Sequence, residues 1–340
     1  MYFLARELCR PAWHLHHATA AGRCTCARLT QAHCHPTEEV RAGRDEDEWV
    51  EAAGYVPLDT VCLMSTDAWD QRLVARAAAA WPSKVVPAFG FHPWGVHTLS
   101  LAHPAPPARE HYEALLGPNV AELLPHLPPP VSLTEALAQL EAYLVAHPHA
   151  LVGEVGLDRS FRIPLPQTSP RRLSRCQTPL AHQLAVLRAQ IALACRYGRS
   201  VSMHSVRAAG PTLDLLADVD AHLPGFSRIG VLLHSCTLSV PSLTQVQRAH
   251  ANVFVSFSTC VRGTDRRAIQ TQHTSELMRA CDPARVLCES DYHAWAELAP
   301  RTAAAMAAYG AARETGVSDE LKAQLASNFH RYCHYKETKS

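Results

Sequence analysis

What most limits how this chain can fold is a repeated unit, recurring from Val56 to the C-terminus: a short apolar run, a loop, then an amphipathic helix. Val56–Met64, Val85–Phe89, Leu151–Val155, Ser200–His204, Ile229–His234, Val253–Phe257 and Arg285–Cys288 read as strands, and an eighth is wanted just before His33. Helices are expected over Asp67–Trp81 (Asp67 suits an N-cap), Leu133–Ala146, Leu180–Tyr197 (Gly198 suits a C-cap), Thr212–Val219, Pro241–Ala249, Arg266–Arg279, Arg301–Glu314 and Asp319–Tyr332. Leu133, Leu137, Leu140 and Leu144 show the 3–4 spacing of one sticky face. Alternating βα units of this number point to a parallel sheet, most economically a closed (β/α)8 TIM barrel with long loop insertions.

The 340 residues suffice for one such barrel or two ordinary domains. We read residues 29–335 as a single barrel domain preceded by Met1–Arg28. That leader has four arginines against Glu7; it reads as disordered or as a wrongly assigned start, with a weak mitochondrial presequence as the alternative. Two stretches break the rhythm. Leu101–Pro130 and Arg162–Pro179 are proline-rich and expected to be mostly loop, hanging over the C-terminal face of the barrel.

Net charge is +1, so no general basic field attracts nucleic acid, and a phosphate ester would have to be gripped locally. None of the twelve cysteines forms a CxxC pair, and Cys24 and Cys26 are too close for a zinc knuckle. Cys195, Cys281 and Cys288 lie in apolar segments, where a thiol acts as a small hydrophobe. We expect reduced cysteines and a cytoplasmic or nuclear protein, mitochondrial as the alternative. No apolar run approaches the roughly 18 residues of a membrane span.

Candidate metal ligands sit at strand ends. His33 and His35 share one side of an extended segment, because side chains alternate with period two, and Cys34 points away. Glu154, His204 and His234 end their strands, and Asp291 follows Cys288 closely. In a barrel these ends converge on one mouth. Four imidazoles and two carboxylates suit two borderline divalent ions, with a carboxylate bridging. Arg207 lies just beyond His204, and its planar fork suits a phosphate. Taken singly, each has a bland reading: a chance HxH, a hydrogen-bonded strand-end His234, a solvated Glu154, an Arg207 paired with Asp214. Type, position and order together argue for a site.

The ordered motifs resemble the TatD-type metal-dependent DNases of the amidohydrolase-like barrels, their fungal branch above all. They are Ala32-His33-Cys34-His35-Pro36, Gly90-Phe91-His92-Pro93, Val152-Gly153-Glu154-Val155-Gly156-Leu157-Asp158, Met203-His204-Ser205-Val206-Arg207, Leu233-His234-Ser235-Cys236, Cys288-Glu289-Ser290-Asp291 and Asn328. The resemblance spans about residues 32–332 and implies a metal-dependent hydrolase using two divalent ions (Zn, Mg or Mn), a deoxyribonuclease with 3′-exonuclease character. It implies that His33, His35, Glu154 and Asp291 hold one ion and Glu154, His204 and His234 the other. Asp291 would also orient or deprotonate the attacking water, His92 would line the substrate site, and Arg207 and Asp158 would contact substrate or a ligand.

Two features depart from the pattern. The family has an aspartate directly before its HxH, after an apolar strand; here Arg28-Leu29-Thr30-Gln31-Ala32 has neither, so the first strand and first metal site are the less well specified. After Asp158, Phe161 and Arg162 stand one place away from the usual run. Two rival readings remain open: an amidohydrolase acting on a cyclic amide or lactone, and a non-catalytic interaction protein on the same barrel. DNA, RNA and a small phosphodiester are not separated by these residues, nor is a protein partner readable.

Overall fold

The computed structural model describes residues 29–165, 172–259 and 271–336. The expected leader Met1–Arg28 lies outside these residues, as do Arg171 and the start of the helix expected at Arg266. Eight parallel strands form the central sheet in sequential order. They are β1 Thr30–Cys34, β2 Thr60–Met64, β3 Val85–Phe89, β4 Leu151–Asp158, β5 Val201–Val206, β6 Val231–Leu233, β7 Val253–Phe257 and β8 Val286–Cys288. The sheet is nearly closed, with helices between the strands, which is the (β/α)8 TIM barrel expected. Inward rows such as Ala32, Cys62, Met64, Ala88, Leu232, Phe254 and Leu287 fill the barrel, while the larger apolar cluster packs the strands against the helices.

The local signals act as physics predicts. Asp67 caps helix Ala68–Ala80 by accepting from the backbone N–H of Trp69 and Asp70, and Asp70 completes a capping box. Helix Leu180–Tyr197 ends on Gly198 at φ 62°, a left-handed position that glycine takes without strain. Helix Trp295–Ala312 starts earlier than Arg301, because Pro300 is carried inside it while Trp295 is buried against Trp49. Likewise β2 starts only at Thr60, after Pro57. Among the described residues eight cysteines are free thiols, and Cys34 donates to the Cys62 carbonyl. No described helix is long and apolar enough to cross a membrane.

One expectation is met against a weak local signal and another is corrected. The strand wanted before His33, weakly specified by its sequence, is present and pairs in parallel with β2. Gln31 supplies what local propensity lacks. Its fully buried amide oxygen accepts from the Ser290 and His33 N–H groups, and its nitrogen donates to the Ser290 and Thr302 hydroxyls, tying β1 to the segment after β8. Backbone bonds from Asp291 N–H to the His33 carbonyl (3.1 Å) and from His35 N–H to the Tyr292 carbonyl (2.8 Å) continue this seam.

Leu101–Pro130 is not mostly loop. It holds helix Ala108–Leu116 and two 3-10 turns, and is bracketed by a two-stranded parallel sheet of Leu99–Ser100 and Val131–Ser132. Pro107 and Pro118 stand just outside that helix, where proline punctuates without breaking it. Tyr112, Val120 and Leu123 then pack against Ile163, Leu165 and Cys176 of the second insertion. The two insertions share one small core.

Two of the ligand-bearing strands are bulged at their ligands. The β1–β2 register shifts between Gln31 and Cys34, and the β4–β5 register between Val152 and Val155. A bulge re-aims the side chains within it, and these two shifts span His33 and Glu154. Glycine permits the close approach: a Cβ on Gly156, at φ 151°, would stand 2.1 Å from the His204 carbonyl oxygen. Gly156→Ala is therefore expected to cost at least about 2 kcal/mol in a denaturant melt, from overpacking and backbone strain together. A midpoint equal to that of the parent would show that β4 and β5 can part there freely.

Candidate metal centre

The strands β1, β4 and β5, the residue just after β6 and the turns after β3 and β8 deliver a converging set of imidazoles around one carboxylate; β4 and β5 run on past Glu154 and His204, which were expected to end them, to Asp158 and Val206. Glu154 is 2% exposed. Its Oε2 lies 2.8 Å from His35 Nε2 and 3.3 Å from His33 Nε2. Its Oε1 lies 2.7 Å from His204 Nδ1, 2.7 Å from His234 Nε2 and 3.2 Å from His92 Nε2. Each oxygen thus faces a different group of histidines. Asp291 enters from the β8 side with Oδ1 3.8 Å from His33 Nε2 and 3.7 Å from His35 Nε2. Its backbone sits at φ 52°.

Neighbouring polar groups hold the ligands in place. His33 Nδ1 is 2.8 Å from Ser202 Oγ, and its ring stacks on His234 at 3.9 Å between centroids. The buried carboxylate of Glu289 accepts from Ser235 N–H (2.6 Å) and hydroxyl (2.9 Å) and lies 3.8 Å from His234 Nδ1. Asp158 lies 3.5 Å from His204 Nε2 and accepts from the Trp94 indole at 2.6 Å.

The electrostatics follow from this crowding. Burial alone would raise the Glu154 carboxyl, but the imidazoles of His92, His234, His33 and His35 outweigh it and hold the group well below the usual carboxylate range. Burial pushes His92 down to about 4 and also lowers His33, whose neighbour His234 opposes its protonation. For His234 the burial penalty is exceeded by Glu154 and Glu289, which raise it well above the ordinary value.

This donor set fits a divalent metal. His33 Nε2 and His35 Nε2 face each other at 2.9 Å, and His204 Nδ1 and His234 Nε2 at 3.3 Å, with a Glu154 oxygen beside each pair. Imidazole nitrogens facing one another next to a carboxylate are the arrangement a shared cation would draw together. Groups able to hold an ion include His33–His35–Asp291, His92–Glu154–His204 and His33–His234–Glu289.

Of the residues singled out in the sequence, His33, His35, Glu154, His204, His234 and Asp291 meet here, with His92 and Asp158 beside them. Arg207 does not join them. It is exposed just past β5 at φ 51°, with no ion pair to the cluster or to Asp214. Gln31, Ser202, Ser235, Glu289 and Trp94 were not singled out. For two of them a signal existed, since the period-two rule that pairs His33 with His35 also puts Ser202 with His204 and Glu289 with Asp291.

Comparisons with known proteins place the chain in a family. Residues 30–334 match the family model described as TatD related DNase. The Schizosaccharomyces pombe protein named Cut9-interacting protein scn1 is 27% identical over 308 residues, covering 79% of this chain and 88% of the relative. The Saccharomyces cerevisiae protein named Uncharacterized deoxyribonuclease YMR262W is 25% identical over 278 residues, covering 78% and 83%. Among solved structures, the Escherichia coli TatD homolog YJJV superposes with a TM-score of 0.59 at 18% identity, covering 90% of this chain and 98% of its own. That likeness speaks to the fold.

If the Ser202 hydroxyl fixes the tautomer and aim of His33, Ser202→Ala is expected to weaken divalent-ion binding about 10–100-fold, by calorimetry against a competing chelator. Unchanged affinity would reduce Ser202 to a packing role.

Proposed function

Because the chain belongs to the TatD-related DNase family of metal-dependent hydrolases, we propose that it hydrolyses phosphodiester bonds as a deoxyribonuclease of 3′-exonuclease type, using two divalent cations. The observation that carries this reading is the placement of Glu154, one oxygen toward His33 and His35 and the other toward His204 and His234. A carboxylate so placed can bridge two cations, with Asp291 completing the first set. When bound, two such ions lower the pKa of a coordinated water and polarise a phosphoryl oxygen.

The remaining work falls to the protein. Asp291 Oδ1 faces His33 and His35 and its Oδ2 lies 3.2 Å from Ser235 Oγ, and this carboxylate would take a proton from the attacking water. His92, its ring centroid 4.6 Å from that of His204, and Asp158, 3.5 Å from His204 Nε2, would line the substrate side of the centre. Arg207, exposed just past β5, would meet a substrate phosphate with its planar fork.

The amidohydrolase reading fares less well. Many such enzymes bridge their metals through a carboxylated lysine on the fourth strand; β4 contains no lysine, and Glu154 stands in that place. One relative is named for an interaction with Cut9. A protein-docking role for this chain would accompany the site rather than replace it, since all six ligand side chains are retained and converge.

The test is a screen of DNA, RNA, small phosphodiesters and cyclic amides with Mg, Mn and Zn. Phosphodiester cleavage is expected, and Asp291→Asn should lower kcat by about 10²–10⁴-fold, the usual worth of a positioned base. Turnover of a cyclic amide alone would reverse the assignment, as would full activity in that variant. His204→Ala is expected to lower bound metal by about one ion per chain and nearly abolish hydrolysis. Undiminished stoichiometry would sink the two-ion arrangement.

A further inference from the structure

Histidines outside the metal centre gather at the opposite end of the barrel. Helix Asp319–Cys333 lies against the N-terminal ends of the strands. Its Phe329 and Tyr332 join the barrel-filling cluster, and the Tyr332 carbonyl accepts from the Ser200 hydroxyl at 2.5 Å, just ahead of β5. With Phe329 and Tyr332 buried, His330 is exposed. His334, the C-cap residue, returns its N–H to the His330 carbonyl at 3.0 Å. One helical turn thus separates the two imidazoles, and their ring centroids lie 4.7 Å apart. His149, in the segment entering β4, meets His334 with centroids 6.1 Å apart. All three histidines are exposed.

This spacing suits a single cation. Zinc–nitrogen bonds of about 2.0–2.1 Å in a tetrahedral site put the ring centroids of two ligand histidines roughly 5 Å apart. The two separations here fall on either side of that value, and exposed side chains can turn between rotamers to close the difference. The lone pairs are available as well. Among the described residues, no ion pair or hydrogen bond takes up the ring nitrogens of these three histidines. Partial burial, then the charges of His330, His149 and Lys336, push His334 below the ordinary imidazole value, so it is neutral at physiological pH. The carbonyl end of the helix favours a cation and works against the repulsion from Lys336. Imidazole nitrogens without a carboxylate select Zn, Ni or Cu over Mg and Mn, which prefer oxygen. The metal centre, with Glu154 and Asp291 in it, carries no such bias.

We propose that His149, His330 and His334 form a separate metal site for a zinc-class divalent ion held by nitrogen alone, clamping the end of helix Asp319–Cys333 to the segment that enters β4. The site stands away from Glu154 and is independent of what the metal centre hydrolyses. Its third ligand comes from a distant part of the sequence, so the complete site exists only in the folded chain, and an ion bound there stabilises the fold.

The test is equilibrium dialysis of the full chain against Zn, Ni or Mg alone, with bound metal read by elemental analysis, beside thermal melts with and without Zn. His330→Gln with His334→Gln is expected to hold about one Zn or Ni fewer per chain than the parent and the same amount of Mg. His149→Gln should weaken binding of that ion by at least the roughly 10–100-fold that losing an outer-shell partner costs a metal site. Zinc should raise the melting temperature of the parent by more than that of the double variant. Parent-like zinc stoichiometry in the double variant, or an equal rise in its melting temperature, overturns the proposal. So does parent-like affinity in His149→Gln, which would leave only a pair of neighbours on one helix. A loss of Mg as large as the loss of Zn also overturns it, because the metal centre itself would then have been disturbed.

Discussion

A carboxylate buried inside a barrel is tenable only if its charge is answered, and Glu154 is answered by five histidines. Much of the nearby backbone serves that requirement. Its N–H leaves the β-ladder for the Ser65 carbonyl at 2.9 Å, the local register shifts, and glycines at 90, 153 and 156 leave room for β4 against its neighbours. Burial would otherwise neutralise the group or cost several kcal/mol. The same concentration of lone pairs that crowds the centre makes it a receptor for cations. Stability and chemistry are set by one group.

Closure of the barrel depends on a different interaction. The residues before His33 lack the apolar character and the acidic side chain of the family pattern, yet β1 is in place. A buried glutamine amide satisfies four partners across the β1–β8 seam without introducing a charge. Because two of those partners are the backbone of His33 and of Ser290, next to Asp291, the seam that closes the sheet also positions the first group of ligands.

The proline-rich insertions give the barrel its own rim. Neither is long enough to bury a core alone, but Tyr112, Val120 and Leu123 of one meet Ile163, Leu165 and Cys176 of the other. Tyr112 also donates to the Pro128 carbonyl at 2.7 Å, and His111 and His182 donate to consecutive carbonyls at His97 and Val96. These links carry order from the insertion core to Trp94 and Phe161, beside His92 and His204.

Much of this was legible in the residues. The βα alternation announced the barrel because hydrophobic period is a local property. Strand-end position picked out Glu154, His204, His234 and Asp291, because parallel strands in a barrel bring their ends to one mouth. Hidden from the sequence were the register shifts that span His33 and Glu154, the left-handed backbone at Asp291, the seam made by Gln31 and the union of the two insertions. Each depends on a partner far along the chain: Ser65 for Glu154, Ser290 for Gln31, Ile163 for Tyr112. Sequence by itself determined which elements form and which side chains can bind a metal, since propensity and chemistry reside in single residues and their near neighbours. Tertiary structure decided where those side chains aim, because aim is set by hydrogen bonds and packing between segments that meet only once the sheet has curled.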